Sequence, residues 1–406
     1  MTQAAPIRPE QFPLARECPF SPPAEYAELR EQEPIAKVRL ITGKWAWAVS
    51  RHEDVRAMLS DPRFSSDREN PNFPVMVAGG RLRPEGEKVE KSLISMDAPH
   101  HGPARRAVLG EFTVRRMEAL RPRIQAIVDE RIDAVLASEG PVDLVRELSL
   151  PVPSLVICEL LGVPYSDHDF FQQHTSTMIS RVSTGPQRFA AFQAIQGYLS
   201  DLIDVKEKDP SEDDLLGRQI LKGREQGDYR HEALVAMAFL LLVAGHETTA
   251  NMISLSTVAL LENPDQLAKV TADPSKTLSA VEELLRYFTI VDTVTARVAT
   301  EDVELGGVTI RAGEGVLGLG YSANRDPEAF EDPDALDIER GARHHVAFGF
   351  GAHQCLGQNL ARMELQIVID TLFRRIPGLA LAEPVEKLAF KDEAAIYGMH
   401  SLPVTW

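Results

Sequence analysis

Residues 344–362 read HHVAFGFGAHQCLGQNLAR, and this stretch decides how the rest of the chain is understood. Cys355 closes a glycine-rich loop and opens a helix whose apolar positions include Leu356, Leu360, Met363 and Ile367. Backbone N–H groups and the positive end of a helix dipole stabilise a thiolate at such a junction and lower its pKa. Gly349, Gly351 and Gly357 let the backbone come close to a flat, bulky partner that side chains would hold off. Two other signatures begin nearby or elsewhere and fail on a named residue. Gly349-Phe350-Gly351 starts like a dinucleotide fingerprint, but Gln354 stands where the third glycine belongs. His246-Glu247-Thr248-Thr249-Ala250 starts like a zinc-protease helix, but Ala250 cannot ligate a metal. No G-x-x-x-x-G-K-[ST] phosphate loop occurs.

Around this stretch the composition is that of a globular protein. Of 406 residues, 44% are hydrophobic and 25% charged, which suffices for a large core and excludes wholesale disorder. By length alone two or three domains of ordinary size would fit. Lys and Arg number 43 against 60 Asp and Glu, and the net charge of −17 is opposite in sign to that of a general nucleic-acid binder. Cys18, Cys158 and Cys355 are too few and too dispersed for a disulfide framework, so a reducing cytoplasm is expected. The N-terminal MTQAAPIRPEQFPLAREC has no apolar core of a signal peptide. The longest apolar stretch, Ala233 to Gly245, runs into His246 and Glu247, short of the ~20 residues of a membrane span. No membrane association is expected.

Residues 1–34 are proline-rich and read as an extended arm laid over the body. In KVRLITGKWAWAVS the alternation of Trp45, Trp47 and Val49 predicts a hairpin over 35–50, and VELGGVTI predicts a second over 303–310 around Gly306-Gly307. The Pro- and Gly-rich segment 67–91 reads as a long irregular loop. From His101 to Glu262 the pattern is mainly helical, broken at Pro141, Pro151–Pro153, Pro164 and an acidic, solvated stretch near 201–214. Further helices are predicted over Thr277–Phe288 and Leu356–Phe373. The fold class is mainly α with small β-sheets (α+β).

Phe348-Gly349-x-Gly351-x-His353-x-Cys355-x-Gly357 resembles, position for position, the haem-binding loop of the cytochrome P-450 superfamily. The resemblance runs from about Cys18 to Trp406 and is closest to soluble bacterial, actinomycete-type members. It implies the cytochrome P-450 fold over 1–406 as a single domain, with haem between the oxygen-activation helix (231–262) and the Cys-loop helix (344–373). Cys355 is then the axial thiolate of a haem b iron (iron protoporphyrin IX), a ligand that favours O–O cleavage. Ala244-Gly245-His246-Glu247-Thr248-Thr249 resembles the family's acid–alcohol segment. Ala244 and Thr248, four apart, share a helical face, and Gly245 permits a local distortion for dioxygen. Thr248 is implied to donate or organise a hydrogen bond, with Glu247 relaying protons from solvent. Glu283, Arg286 and Arg340 match the family's structural ion-pair cluster behind the haem. His101, Arg105, Arg297, His345 and His353 match positions that meet the haem carboxylates, which need cationic or hydrogen-bonding partners. The family more often has an acid where His100 stands.

The same resemblance implies a monooxygenase that hydroxylates or epoxidises a bulky hydrophobic small molecule, such as a polyketide, macrolide or steroid-like compound. Phe73, Ile94, Leu240, Val243, Ala244, Ile290, Val294 and Ile396 are the implied, mostly apolar pocket lining. The 67–91 loop and region 165–200 are candidates for a lid. No flavin or iron–sulfur segment is present, so electrons are expected from a ferredoxin and ferredoxin reductase, with NAD(P)H as ultimate donor. Within 97–125, Arg105, Arg106, Arg115, Arg116, Arg121 and Arg123 outweigh Asp97, Glu111 and Glu118 and offer a basic docking surface. A monomer is expected.

Overall fold

The computed structural model describes residues 12–77, 90–292 and 296–406. Five strands build the main sheet: β1 (Ile35–Arg39), β2 (Trp45–Val49), β3 (Phe64–Ser65), β4 (Ala296–Ala299) and β5 (Gly315–Gly318), in the order β1-β2-β5-β4-β3. The predicted first hairpin is the antiparallel pair β1–β2, with Ile35 opposite Val49, turned by Gly43 at φ 79°. Strand β5 joins β2 in parallel and β4 antiparallel, which puts Arg297 opposite Val316. Both faces of β4 are covered, so Arg297 enters the interior. The second hairpin pairs Val303–Leu305 with Val308–Ile310; Gly306 and Gly307, at φ 52° and 79°, supply the left-handed turn its tight connection requires.

The helical part is organised by eight helices: α1 (His101–Leu109), α2 (Val114–Leu136), α3 (Pro151–Leu161), α4 (His168–Ile179), α5 (Gly185–Lys208), α6 (His231–Glu262), α7 (Thr277–Phe288) and α8 (Gln358–Arg375). Helix α6 is apolar on all sides, the mark of a helix at the centre of a fold, and every residue from Thr249 to Leu260 is buried. Helices α3, α5 and α8 pack against it. It is long and apolar enough to cross a bilayer, but 56% of its most apolar window is buried within the protein. One continuous hydrophobic cluster runs from Leu93 through α2, α3, α6, α7 and α8 to Val404.

Several expectations shift. The N-terminal arm carries a helix, Glu25–Gln32, and Phe12 is wholly buried beside Leu40. The break at Pro151–Pro153 falls between a helical turn over Val145–Ser149 and α3, which the prolines open because the first turn has no use for their missing N–H groups. The acidic stretch is helical to Lys208, where α5 ends. The 67–91 loop is described up to residue 77 and from 90 onward.

Candidate active site

The cysteine loop is held by its own backbone. Cys355 donates its N–H to the Phe348 carbonyl at 2.8 Å, and Gly349 and Gly351 take φ 68° and 70°. A Cβ on Gly351 would stand 2.6 Å from the Leu59 carbonyl oxygen, whereas one on Gly357 would project into open space. Cys355 is exposed as a residue, yet protein surrounds its sulfur. Burial therefore pushes the thiol pKa up, against the Gly357 and Gln358 N–H groups and the charges of Arg105 and Arg362. The expected lowering by loop and helix dipole is present but outweighed. The free thiol is neutral, and a bound metal cation would be what draws out the thiolate.

Beside the loop, basic groups gather with little to balance them. The His101 and His353 rings stack with centroids 4.0 Å apart, and Arg105 donates to the Gln354 carbonyl at 2.5 Å. Arg297, 8% exposed, donates to the Ala296 carbonyl at 2.8 Å. Burial and then the charge of Arg68 bring the Arg297 pKa down to about 10. Burial, His101 and Arg297 bring His353 down to about 3. His101 is lowered by burial and Arg105, and its buried Nε2 has no partner among the described residues. Asp97, fixed by Ser65 Oγ and by the Ser66 N–H at 2.8 Å, is the acid that opposes them. A buried cluster of this kind calls for further anions. The two carboxylates of a haem fit it in sign, with Cys355 alongside to meet the iron.

His345 does not join that cluster. Its Nδ1 accepts the Ala347 N–H at 3.1 Å, so Nε2 carries the hydrogen and donates to Glu282 at 3.0 Å. Burial keeps the ring neutral despite Glu282. The charge of Glu282 is met by Arg362 at 2.6 Å. With both nitrogens engaged, His345 has nothing left for a haem carboxylate.

On α6 Leu240, Val243 and Thr248 are half-buried and Ala244 is exposed, while Leu241, Leu242, His246 and Glu247 between them are buried. Their helical spacing puts them on one face, the one the rest of the protein leaves least covered. Thr248 Oγ1 donates to the Ala244 carbonyl at 2.7 Å, which spends its proton and leaves its lone pairs free. Gly245 does not distort the helix, which runs unbroken. A Cβ there would lie 3.0 Å from Ile157 of α3, so the glycine serves close packing. Glu247 is 5% exposed, not solvated, and its Oε1 takes Lys391 Nζ at 2.6 Å. Lys391 also reaches Asn251 Oδ1 at 3.1 Å.

Glu283, Arg286 and Arg340 come together as a three-residue ion cluster. Arg286 holds both oxygens of Glu283 at 2.7 Å, with both side chains wholly buried, and Arg340 Nε reaches Glu283 at 3.2 Å. Arg286 further donates to the carbonyls of Asn324 and Pro333, which fastens the proline-rich segment to α7. Of the implied pocket residues, Ile94 lies on a short turn against α6, and Ile290 and Ile396 lie on segments joined by the Tyr397 N–H to the Ile290 carbonyl at 2.9 Å. Phe73 packs instead with Leu14 and Met76 against the sheet, and Val294 lies outside the described residues. Arg68, Gln354, Glu282, Arg362 and Lys391 were not singled out in the sequence; each is defined by a partner far away in the chain.

Comparison with known proteins gives the family. The cytochrome P450 family profile matches residues 49–377, and the chain belongs to that family. It is a P450 monooxygenase, with haem iron as its cofactor. Among its relatives, pentalenic acid synthase of Streptomyces avermitilis is 48% identical over 402 residues, covering 98% of each chain. The crystal structure of MoxA from Nonomuraea recticatena is 59% identical with a TM-score of 0.89, covering 98% of each chain. That of the mycinamicin VIII C21 methyl hydroxylase MycCI from Micromonospora griseorubida is 40% identical with a TM-score of 0.92, covering 98% of this chain and all of that one.

Proposed function

We propose that this monooxygenase hydroxylates or epoxidises a bulky hydrophobic small molecule of polyketide, macrolide or steroid-like type. The observation that carries the reading is the face of α6, where Leu240, Val243 and Ala244 offer an apolar wall and Thr248 a single polar atom. A relative whose crystal structure holds mycinamicin VIII supports the size and type of substrate. When bound, haem b supplies dioxygen activation with Cys355 as its thiolate ligand. His101, Arg105, Arg297 and His353 hold its carboxylates. Glu283, Arg286 and Arg340 stiffen the segment behind the cysteine loop.

Thr248 organises proton delivery by accepting a hydrogen bond, since its own hydrogen is committed to Ala244. Glu247 carries the proton from a buried position, which keeps bulk water from the reacting atoms. Electrons come from a ferredoxin and its reductase, with NAD(P)H as ultimate donor, in a cytoplasmic, monomeric enzyme. The basic surface is narrower than its composition implies. Arg105 turns inward, while Arg116, Arg121 and Arg123 pair with Glu111, Glu118 and Glu159. Exposed Leu109 and Val114, flanked by Arg106 and Arg115, are the patch suited to an acidic partner.

Thr248→Ala tests the reading. Reductant consumption should persist while product falls and hydrogen peroxide rises. Unchanged product yield, or turnover with peroxide at least as fast as with a ferredoxin system, would overturn it.

A further inference from the structure

Lys391 holds Glu247 Oε1, which leaves Oε2 as the oxygen open to another donor. That oxygen lies 3.7 Å from His246 Nε2, too far for a direct hydrogen bond. The His246 ring is 2% exposed. Its other nitrogen donates to the Leu242 carbonyl one turn back, so Nε2 presents a lone pair, and it has no partner among the described residues. Two acceptors thus face each other across a gap that a donor would fill.

His246 also lines a small crevice between α3, α4 and α6, together with Ser154, Cys158, His168 and Gln172. About 10 Å³ of it is open to the centre of a water molecule, room for about one water. Ser154, 4% exposed, has a buried Oγ likewise without a partner among the described residues. His168 and Gln172 are half-buried and mark the mouth. Ile157, Phe171 and Leu242 complete the lining, so the two orphaned polar atoms, Ser154 Oγ and His246 Nε2, are what make a water site of an otherwise largely apolar crevice.

We propose that a resident water held by Ser154 Oγ and His246 Nε2 donates to Glu247 Oε2, so that this crevice is the proton inlet and His246 its positioning residue. The inference rests on the role given to Glu247 above. When Glu247 passes its proton inward, the water gives one hydrogen to Oε2 and regains one from solvent at the mouth. Only O–H bonds are exchanged, and His246 keeps its protonation state throughout. Burial holds the ring neutral against the charge of Glu247, with Lys391 from the C-terminal segment, Cys158 from α3 and His168 from α4 around it.

The test has a spectroscopic and a kinetic part. In the carbon-monoxide-bound reduced holoenzyme labelled with ¹⁵N-histidine, His246 should show an unprotonated, hydrogen-bonded Nε2; a hydrogen on Nε2 would overturn the proposal. In ferredoxin-supported turnover in H₂O and D₂O, His246→Leu should slow the proton-dependent step about tenfold, less than the loss of a direct donor, because the residue acts through water. It should also raise the peroxide share and the solvent isotope effect. His246→Gln, whose amide oxygen accepts a hydrogen bond, should recover most of this. Ser154→Ala, should the leucine variant fail to fold, should raise the isotope effect in the same direction. If Glu247→Gln impairs product formation while His246→Leu and Ser154→Ala do not, the inlet is wrong and the role of Glu247 stands. If Glu247→Gln itself changes nothing, both fall.

Discussion

Replacing Arg297 with glutamine should move the protein in opposite directions with and without its cofactor. In the protein alone Arg297 is a buried cation facing Arg68, and its pKa falls from an ordinary 12.5 to about 10. At about 1.36 kcal/mol per pKa unit this amounts to roughly 3 kcal/mol against the charged form. The sign follows from linkage. A cation whose folded pKa is depressed costs stability wherever it is protonated in both states, so the cost is constant below about 10 and is relieved only as pH rises through that value. Arg297→Gln removes this cost and gives up one hydrogen bond, to the Ala296 carbonyl, of about 1 kcal/mol. The haem-free variant should therefore be more stable by about 2 kcal/mol, uniformly between pH 6 and 9. With haem bound the same change deletes a charge-assisted contact to a carboxylate, about 1.5–3 kcal/mol, or roughly ten- to a hundredfold faster haem loss. Urea titration of the haem-free protein and haem transfer to apomyoglobin read the two effects separately. Equal destabilisation of both forms would refute the idea that an unbalanced charge is stored for the cofactor.

Three other expectations follow from the same geometry. Glu283→Ala strands the wholly buried Arg286 and should cost about 3–5 kcal/mol in urea unfolding, and a loss under 1 kcal/mol would contradict the buried-pair account. Burial pushes the Glu282 carboxyl up, but hydrogen bonds from His345 and Arg362 outweigh it and bring the pKa to about 2. Its roughly 3 kcal/mol of stability is present above about pH 4.5 and lost as pH falls toward 2, so the gap between wild type and Glu282→Gln should close over that range in pH-dependent unfolding. Cys355→Ala should abolish the thiolate-type Soret band of the reduced, carbon-monoxide-bound protein, and a variant that kept the band would rule out Cys355 as the ligand.

What the sequence revealed was local. The Cys355 loop, the Glu283–Arg286 pair at i, i+3, both hairpins and the Ala244–Thr248 face each depend on residues within a turn or two of one another, so spacing alone exposes them. Glu247 was legible as an acid but not in its setting, because its partner Lys391 lies in the C-terminal segment and only the fold joins them. Arg68 and Asp97 were hidden for the same reason. His345 misled because a doublet of histidines beside the loop gives no sign of which ring will find Glu282, whose helix is remote in sequence. Pro151 and Pro153 marked a boundary that the structure has, although spacing alone does not say that a new helix opens on the prolines themselves.

The parallel pairing of β2 with β5 sets an order of events during synthesis. Ala46 finds its partner at Gly315, so the sheet that carries Arg297 cannot close until most of the chain has left the ribosome. Contacts of such sequence separation pay a large loop-closure cost and form late. The helices α1 to α7 can assemble first, but the closed sheet and its arginine arrive together near the end. The cofactor should thus be captured by a nearly finished fold: a chain stalled before Gly315 lacks both β5 and Cys355, and should show helical structure yet retain no haem.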